Sequence, residues 1–235
     1  MKSKIVILST YDIYITIPLL NKISIDERAE LKKVFFLRDK SSLIKKIKIL
    51  LLLSFNECLK LMRIYINSIL NKRKYFKKNI LKDVNSIDLI KKINHLSADL
   101  VICINCPQIL NEKTINKINA PIFNFHPGDL PTFRGVLIPY FLMKYKVENA
   151  CMTYHKIDKY IDKGKIINKK YIPIKKNETI LSIYEKLFLS ENSYEFIMDS
   201  IINSKNTYLE EKNTISNYYK YPSILEILKF RFKKR

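Results

Sequence analysis

Two short runs, Lys4–Ser9 (KIVILS) and Ala98–Ile104 (ADLVICI), constrain the fold more than anything else in the chain. Both read as buried strands, and the second is apolar without interruption from Leu100 to Ile104. A strand apolar on both faces needs cover on both, as in a parallel strand between two helical layers. Val34–Leu37 and Ile122–His126 read as further strands, and Ile80–Asp83 as a short one. Helical stretches intervene: Asp12–Ile23, with Pro18 awkward inside it, Ser41–Leu70 as one or two helices, a helix capped by Ser86 and running through His95, and Asn111–Ile118. This alternation predicts an α/β chain built on a mostly parallel, twisted sheet flanked by helices. Its 235 residues suffice for one main domain.

The opening resembles a Rossmann-like sheet, yet the first turn, STYDIYIT, has no glycine. A dinucleotide fingerprint and a P-loop are both missing, which argues against NAD, FAD and P-loop chemistry. All three glycines of the chain, Gly128, Gly135 and Gly164, fall between Ile122 and Ile167, together with His126 and His155. A chain that keeps glycine only there needs special turns there. Asn124 and His126 lie two apart on one strand and therefore share a face. Pro127 ends that strand. Arg134-Gly135 leads into a helix through Tyr145, Ala150–Lys156 is an alternating strand, Ile157–Lys163 a loop, and Lys165–Ile174 a strand. Thr179–Ile202 reads as one long last helix.

Composition narrows the function classes. Lys and Arg number 43 against 22 Asp and Glu, a net charge of +21. The basic residues are spread along the chain, with some density at 72–78 and 230–235, and no RNA-binding or zinc-finger pattern accompanies them. No specific nucleic-acid partner is expected, whereas an acidic or phosphorylated substrate suits the charge. In Ser41–Leu70, Lys45, Lys48, Asn56, Lys60, Arg63 and Asn67 form a polar stripe on an otherwise apolar surface. Such a helix ordinarily packs its apolar face on the core, with peripheral membrane contact as the alternative. The longest apolar runs, such as Ile49–Leu53, are too short to span a membrane, and the N-terminus reads as a strand rather than a signal peptide, so the cytoplasm is the expected location. Cys103 and Cys106 form a C-x-x-C without a second pair of ligands and read, like Cys58 and Cys151, as ordinary thiols. No metal site is expected.

The order Asn-x-His-Pro, Leu-Pro, Arg-Gly, then Thr-x-His-x-x-Asp-x-x-x-Asp-x-Gly resembles the folate-dependent formyltransferases, which act on glycinamide ribonucleotide, methionyl-tRNA or nucleotide-linked amino sugars. The matching residues are Asn124, His126, Pro127, Leu130, Pro131, Arg134, Gly135, Thr153, His155, Asp158, Asp162 and Gly164. The clear match runs from Asp99 to Pro173. The resemblance implies a Rossmann-like formyltransferase domain over residues 1–205 and a short C-terminal extension over 206–235. It implies 10-formyltetrahydrofolate as formyl donor, and Asn124, His126 and Asp162 as the catalytic residues. Formyl transfer to an amine develops negative charge on the formyl oxygen, where Asn124 and a protonated His126 can donate. Asp162 would favour the imidazolium and relay the amine's proton. Cys106, Pro107, Gln108, Ile109 and Leu110, with Asp158, would hold the folate. His155, Gly128, Arg134, Gly135 and Gly164 would support the site.

Departures from the pattern bear on the acceptor. STYDIYIT lacks the glycine- and serine-rich phosphate loop of the glycinamide ribonucleotide enzymes. Roughly thirty residues follow Ile202, too few for the C-terminal barrel of the methionyl-tRNA enzymes. The first strand leaves no room for the regulatory domain of formyl-folate hydrolases. Gly128 and Asp129 stand where a serine and an apolar residue are commonest. The expected acceptor is an amino group on a nucleotide-linked sugar, with another small or lipid-linked amine or methionyl-tRNA as alternatives. Two other classes stay open: a metal-dependent hydrolase using His126, His155, Asp158 and Asp162, and a non-enzymatic basic protein that binds membranes or RNA.

Overall fold

The computed structural model describes residues 2–70, 80–204 and 215–233. The basic stretch at 71–79 and the proposed domain boundary near residue 205 lie outside them. Seven strands form one sheet: β1 (Ser3–Ser9), β2 (Ala29–Leu37), β3 (Ile80–Leu81), β4 (Leu100–Ile104), β5 (Ile122–His126), β7 (Asn149–Lys156) and β8 (Ile166–Pro173). Their order is β3-β2-β1-β4-β5-β7-β8. The first five run parallel, whereas β7 is antiparallel to both β5 and β8. Two-residue strands β6 (Arg134–Gly135) and β9 (Tyr218–Tyr219) pair separately and in parallel.

Alternation along the central strands divides the core between the two faces of the sheet. Ile5, Ile7, Ile102, Ile104, Phe123 and Phe125 pack toward helices α1 (Thr16–Ile25), α6 (Ile138–Lys144), α7 (Ile180–Leu189) and α8 (Glu191–Ile202). Val6, Leu8, Val101, Cys103 and Ile122 face helix α4 (Ile87–His95) and the segment carrying Leu110, α5 (Glu112–Lys117) and Ile118. All five residues of β4 are buried, as their unbroken apolar run requires. Ser86 and Asn111 cap α4 and α5 by accepting the N–H of Leu89 and Thr114.

Several element boundaries differ from the sequence reading for identifiable reasons. Helix α1 starts at Thr16, so Pro18 falls in its first turn, where the missing N–H costs nothing. The Asp12 carboxylate accepts from the N–H groups of Tyr14, Ile15 and Thr16 and marks this start. Strand β2 begins at Ala29, five residues before the expected Val34, because polar Glu30, Lys32 and Lys33 lie on its partly exposed half. The expected long helix 179–202 is two helices. Ser190 is extended (φ −64°, ψ 150°), and its side chain caps α8 by accepting the Ser193 N–H. Arg134-Gly135 forms a short strand ahead of the expected helix, which begins at Ile138, since Arg134 N–H donates to Asn217 O and Val136 N–H to Tyr219 O.

The segment 41–70 forms two helices, α2 (Leu43–Leu52) and α3 (Phe55–Leu70). Their apolar faces are not absorbed by the core, as the ordinary reading expects: Leu43 and Phe55 are 72% and 75% exposed. Only part of this segment packs inward, chiefly through Leu52, Leu53 and the carboxylate of Glu57. The last helix, α9 (Ile224–Lys233), lies against α2 and buries Ile227. No helix among the described residues is long and apolar enough to cross a membrane.

Candidate active site

The end of β5 and the middle of β7 bring the site together. Asn124 lies opposite His155, and His126 opposite Thr153, in the antiparallel ladder. Residues directly opposite share a face. The Asn124 amide Nδ2 stands 3.1 Å from His155 Nε2, while His155 Nδ1 stands 3.1 Å from the Lys156 carbonyl. A carbonyl only accepts, so Nδ1 carries the proton and Nε2 is the acceptor for the Asn124 amide. Burial, reinforced by the nearby His126 and opposed by Asp162, pushes the His155 pKa down to about 4. His155 is therefore a neutral, oriented acceptor. It fixes which end of the Asn124 amide carries nitrogen and leaves one Asn124 N–H to donate elsewhere.

His126 is almost fully buried and donates from Nε2 to the Phe133 carbonyl at 2.7 Å. Its Nδ1 faces Asp162 Oδ1 at 3.7 Å, and the same carboxylate oxygen lies 3.9 Å from His155 Nε2. These spacings exceed a direct hydrogen bond and suit a bridging water or small shift. Asp162 Oδ2 accepts the Gly135 N–H at 3.1 Å, and the residue sits in a left-handed turn (φ +53°). The loop carrying Asp162 runs along β5, since Ile157 N–H donates to Ile122 O at that strand's start. The three residues expected to be catalytic thus converge in one place, with His155 among them.

The loop from Pro127 to Gly135 folds over His126. A Cβ on Gly128 would lie 2.4 Å from the Phe133 carbonyl oxygen and 2.8 Å from His126 Nε2. Gly135 has φ +108°, and a Cβ there would lie 2.1 Å from Tyr219 O. Only glycine permits these approaches. Gly164 is buried in the turn between β7 and β8, where Lys156 N–H donates to Lys165 O. The Leu130-Pro131 bond is cis. Arg134 turns its guanidinium over the Tyr218 ring, with the centres 5.9 Å apart, and its Nε is buried without a partner among the described residues.

Sequence reasoning missed the anchors of this loop. Thr153 Oγ1 donates to Gly128 O (2.6 Å) and accepts the Leu130 N–H (3.3 Å). Lys169 Nζ donates to Asp129 Oδ1 (2.6 Å) and Leu130 O (2.5 Å), and Tyr171 adds a hydroxyl to Asp129. Thr153 was legible as part of the motif, but nothing in the sequence connected Lys169 to Asp129, forty residues away. Phe133 stacks on Tyr219, with 5.4 Å between ring centroids, so the C-terminal segment closes over the loop.

The residues expected around the folate are placed unequally. Ile109 is exposed and Leu110 buried, with Pro107 half-buried between β4 and α5. Cys106 Sγ donates to Gln108 O. Gln108 is spent on the scaffold: its amide donates to Arg38 O and Lys82 O and accepts the Val84 N–H. Asp158 accepts the Tyr160 N–H within the loop that carries Asp162. His95 is on the surface, and all four cysteines are free thiols. Among the described residues, no group of three or more His, Cys, Asp or Glu side chains is arranged to hold a metal ion.

Residues 59–198 match the family model described as formyl transferase, well over half of the chain. This protein belongs to the formyl transferase family. Among curated relatives, the human trifunctional purine biosynthetic protein adenosine-3 is 28% identical over 115 residues, covering 49% of this chain and 11% of that protein. The first relatives matched are much longer polypeptides, of which the chain spans between 6% and 22%. Solved structures share the fold. A sugar N-formyltransferase from a Shewanella species aligns with TM-score 0.59 at 18% identity, covering 92% of this chain and 76% of its own. An N-formyltransferase from Helicobacter canadensis, solved with folinic acid and dTDP-3-aminofucose, aligns with TM-score 0.55 at 17% identity over 93% and 71%.

Proposed function

We propose that this formyl transferase moves a formyl group from 10-formyltetrahydrofolate to the amino group of a nucleotide-linked sugar. The observation that supports the reading most is the convergence of Asn124, His126 and Asp162 at the end of β5, with His155 holding the Asn124 amide. The folate supplies an activated formyl group as an amide of its N10. The amine nitrogen forms a new bond to the formyl carbon, the bond from that carbon to N10 breaks, and the amine's proton ends on N10.

Each residue has a task in that exchange. Asn124 offers its free N–H to the formyl oxygen as charge grows there. His126 adds a second donor once Nε2 leaves the Phe133 carbonyl, which requires the Gly128–Gly135 loop to shift as ligands enter. Asp162, facing His126 Nδ1, accepts the amine's proton. The exposed Ile109 and the loop bearing Asp158 and Tyr160 provide an apolar rim for the pterin. Arg134, whose neighbour Gly135 donates its N–H to Asp162 and whose buried Nε has no partner among the described residues, is suited to a phosphate of the acceptor. The diphosphate of a sugar nucleotide also matches the +21 charge.

The test is product analysis with 10-formyltetrahydrofolate and a panel of nucleotide-linked amino sugars, the free amino sugars and charged methionyl-tRNA. The reading predicts an N-formyl sugar nucleotide and an equal amount of tetrahydrofolate. Product from methionyl-tRNA alone would overturn the acceptor, and no product from any amine would overturn the reaction.

A further inference from the structure

The α2–α3 pair and α9 present apolar side chains to solvent on consistent faces. In α2, Leu43, Ile47 and Leu50 recur at helical spacing and are exposed. In α3, Phe55, Met62, Ile66 and Ile69 fall within about 60° of one another around the axis and are exposed too. In α9 the same holds for Leu225, Leu228 and Phe232, the last 70% exposed. The three helices meet at an apolar groove of about 310 Å³, lined by Ile47, Leu50, Leu51, Leu53, Phe55 and Cys58, with Arg231 at its edge. Arg231 donates to the Leu51 carbonyl and ties α9 to α2 there.

Charge decides what covers this surface. The three helices carry eight Lys and Arg residues and two acids, Glu57 and Glu226. Glu57 is buried and spent on the backbone N–H groups of Ser54 and Leu181. Glu226 is paired with Lys144. Lys60 is taken by Glu185. Lys46, Arg63 and Lys229 are exposed beside the apolar residues of α2, α3 and α9 and meet no acid among the described residues, while Lys45 and Lys48 lie on the far side of α2, Lys45 over the Tyr221 ring. A two-fold interface would press this cationic face against itself, which opposes a second copy. An apolar surface flanked by exposed cations matches a bilayer whose headgroups are anionic.

We infer that α2, α3 and α9 dock the protein peripherally on an anionic lipid bilayer, with Leu43, Leu50, Phe55, Met62 and Phe232 entering the acyl boundary and Lys46, Arg63 and Lys229 meeting lipid phosphates. This inference does not rest on the identity of the formyl acceptor.

The test is co-sedimentation of the full chain with vesicles of phosphatidylcholine alone or with about a third phosphatidylglycerol, across a salt series. Binding to the anionic vesicles that weakens with salt is expected. Phe55→Ser/Met62→Ser/Phe232→Ser is expected to lower partitioning at least about tenfold. Lys46→Gln/Arg63→Gln/Lys229→Gln is expected to lower it about fivefold per cation. All these side chains lie outside the active site, so circular dichroism and formyl transfer in solution serve as controls that should not move. If the serine variant unfolds, the glutamine variant alone decides. Failure to bind anionic vesicles overturns the inference. So does vesicle binding that the serine variant retains in full, which marks simple charge attraction. Sedimentation velocity showing a wild-type dimer that the serine variant dissolves, without vesicle binding, assigns the face to a second copy and also overturns it.

Discussion

Lowering the pH from 7 to 4 should destabilise the protein, chiefly through His155. Its folded-state pKa is about 4, depressed mainly by burial, against about 6.5 in an unfolded chain. Between these values the unfolded state binds a proton that the folded state refuses, so stability rises with pH across the window. The contribution is fully present above about pH 6.5 and is lost as pH falls toward 4, a change of about 3 kcal/mol. Function should follow. A protonated Nε2 would confront the Asn124 amide, donor against donor, and displace the amide that supports the formyl oxygen. The assay is urea unfolding followed by far-ultraviolet circular dichroism from pH 4 to 7.5, since the chain has no tryptophan. His155→Gln, which can accept from Asn124 without titrating, should flatten the profile over this window. An unchanged slope in the variant would refute the assignment of the window to His155.

Other expectations follow from the same geometry. Asp162→Asn should keep the fold, because an amide oxygen can still accept the Gly135 N–H, while lowering kcat about 10²- to 10⁴-fold; retained kcat in steady-state kinetics would contradict its proton role. Asn124→Ala should lower kcat about 10²- to 10³-fold with little change in KM for the folate, checked by varying each substrate in turn. Gly135→Ala should cost at least about 1–3 kcal/mol in denaturant unfolding and loosen the β6–β9 pairing, read as faster hydrogen exchange at Val136 N–H. Arg134→Gln should raise KM for a nucleotide-linked acceptor about tenfold and leave KM for the folate unchanged, as expected for a lost phosphate contact.

The legible parts of this protein were those where side-chain identity carries the structural instruction. The apolar run Leu100–Ile104 could only be a strand covered on both sides, and it is buried at every position. Ser86 announced a helix start through a side chain that caps. Asn124, His126 and Asp162 were found because their spacing survives as a motif, and the fold brings them together. What escaped was written in backbone or in distant pairing. The group that occupies His126 is the carbonyl of Phe133, which any residue could supply. The β6–β9 ladder joins two-residue strands more than eighty positions apart, too short to show a period. Ser190 breaks a helix without glycine or proline, because its extended backbone lets its side chain cap the next one. Gln108 reads as a ligand-loop residue, and nothing in the sequence signalled that its three amide contacts all go to backbone.

The central claim is that a formyl group leaves 10-formyltetrahydrofolate for a sugar-nucleotide amine under the control of Asp162 and its neighbours. Its most direct measurement is the yield of N-formyl product by mass spectrometry, with wild type and Asp162→Asn incubated side by side with the folate and the panel of nucleotide-linked amino sugars. The account predicts product equal to the tetrahydrofolate released by the wild type and almost none from the variant. Absence of product with every amine, or equal product from both proteins, would contradict it.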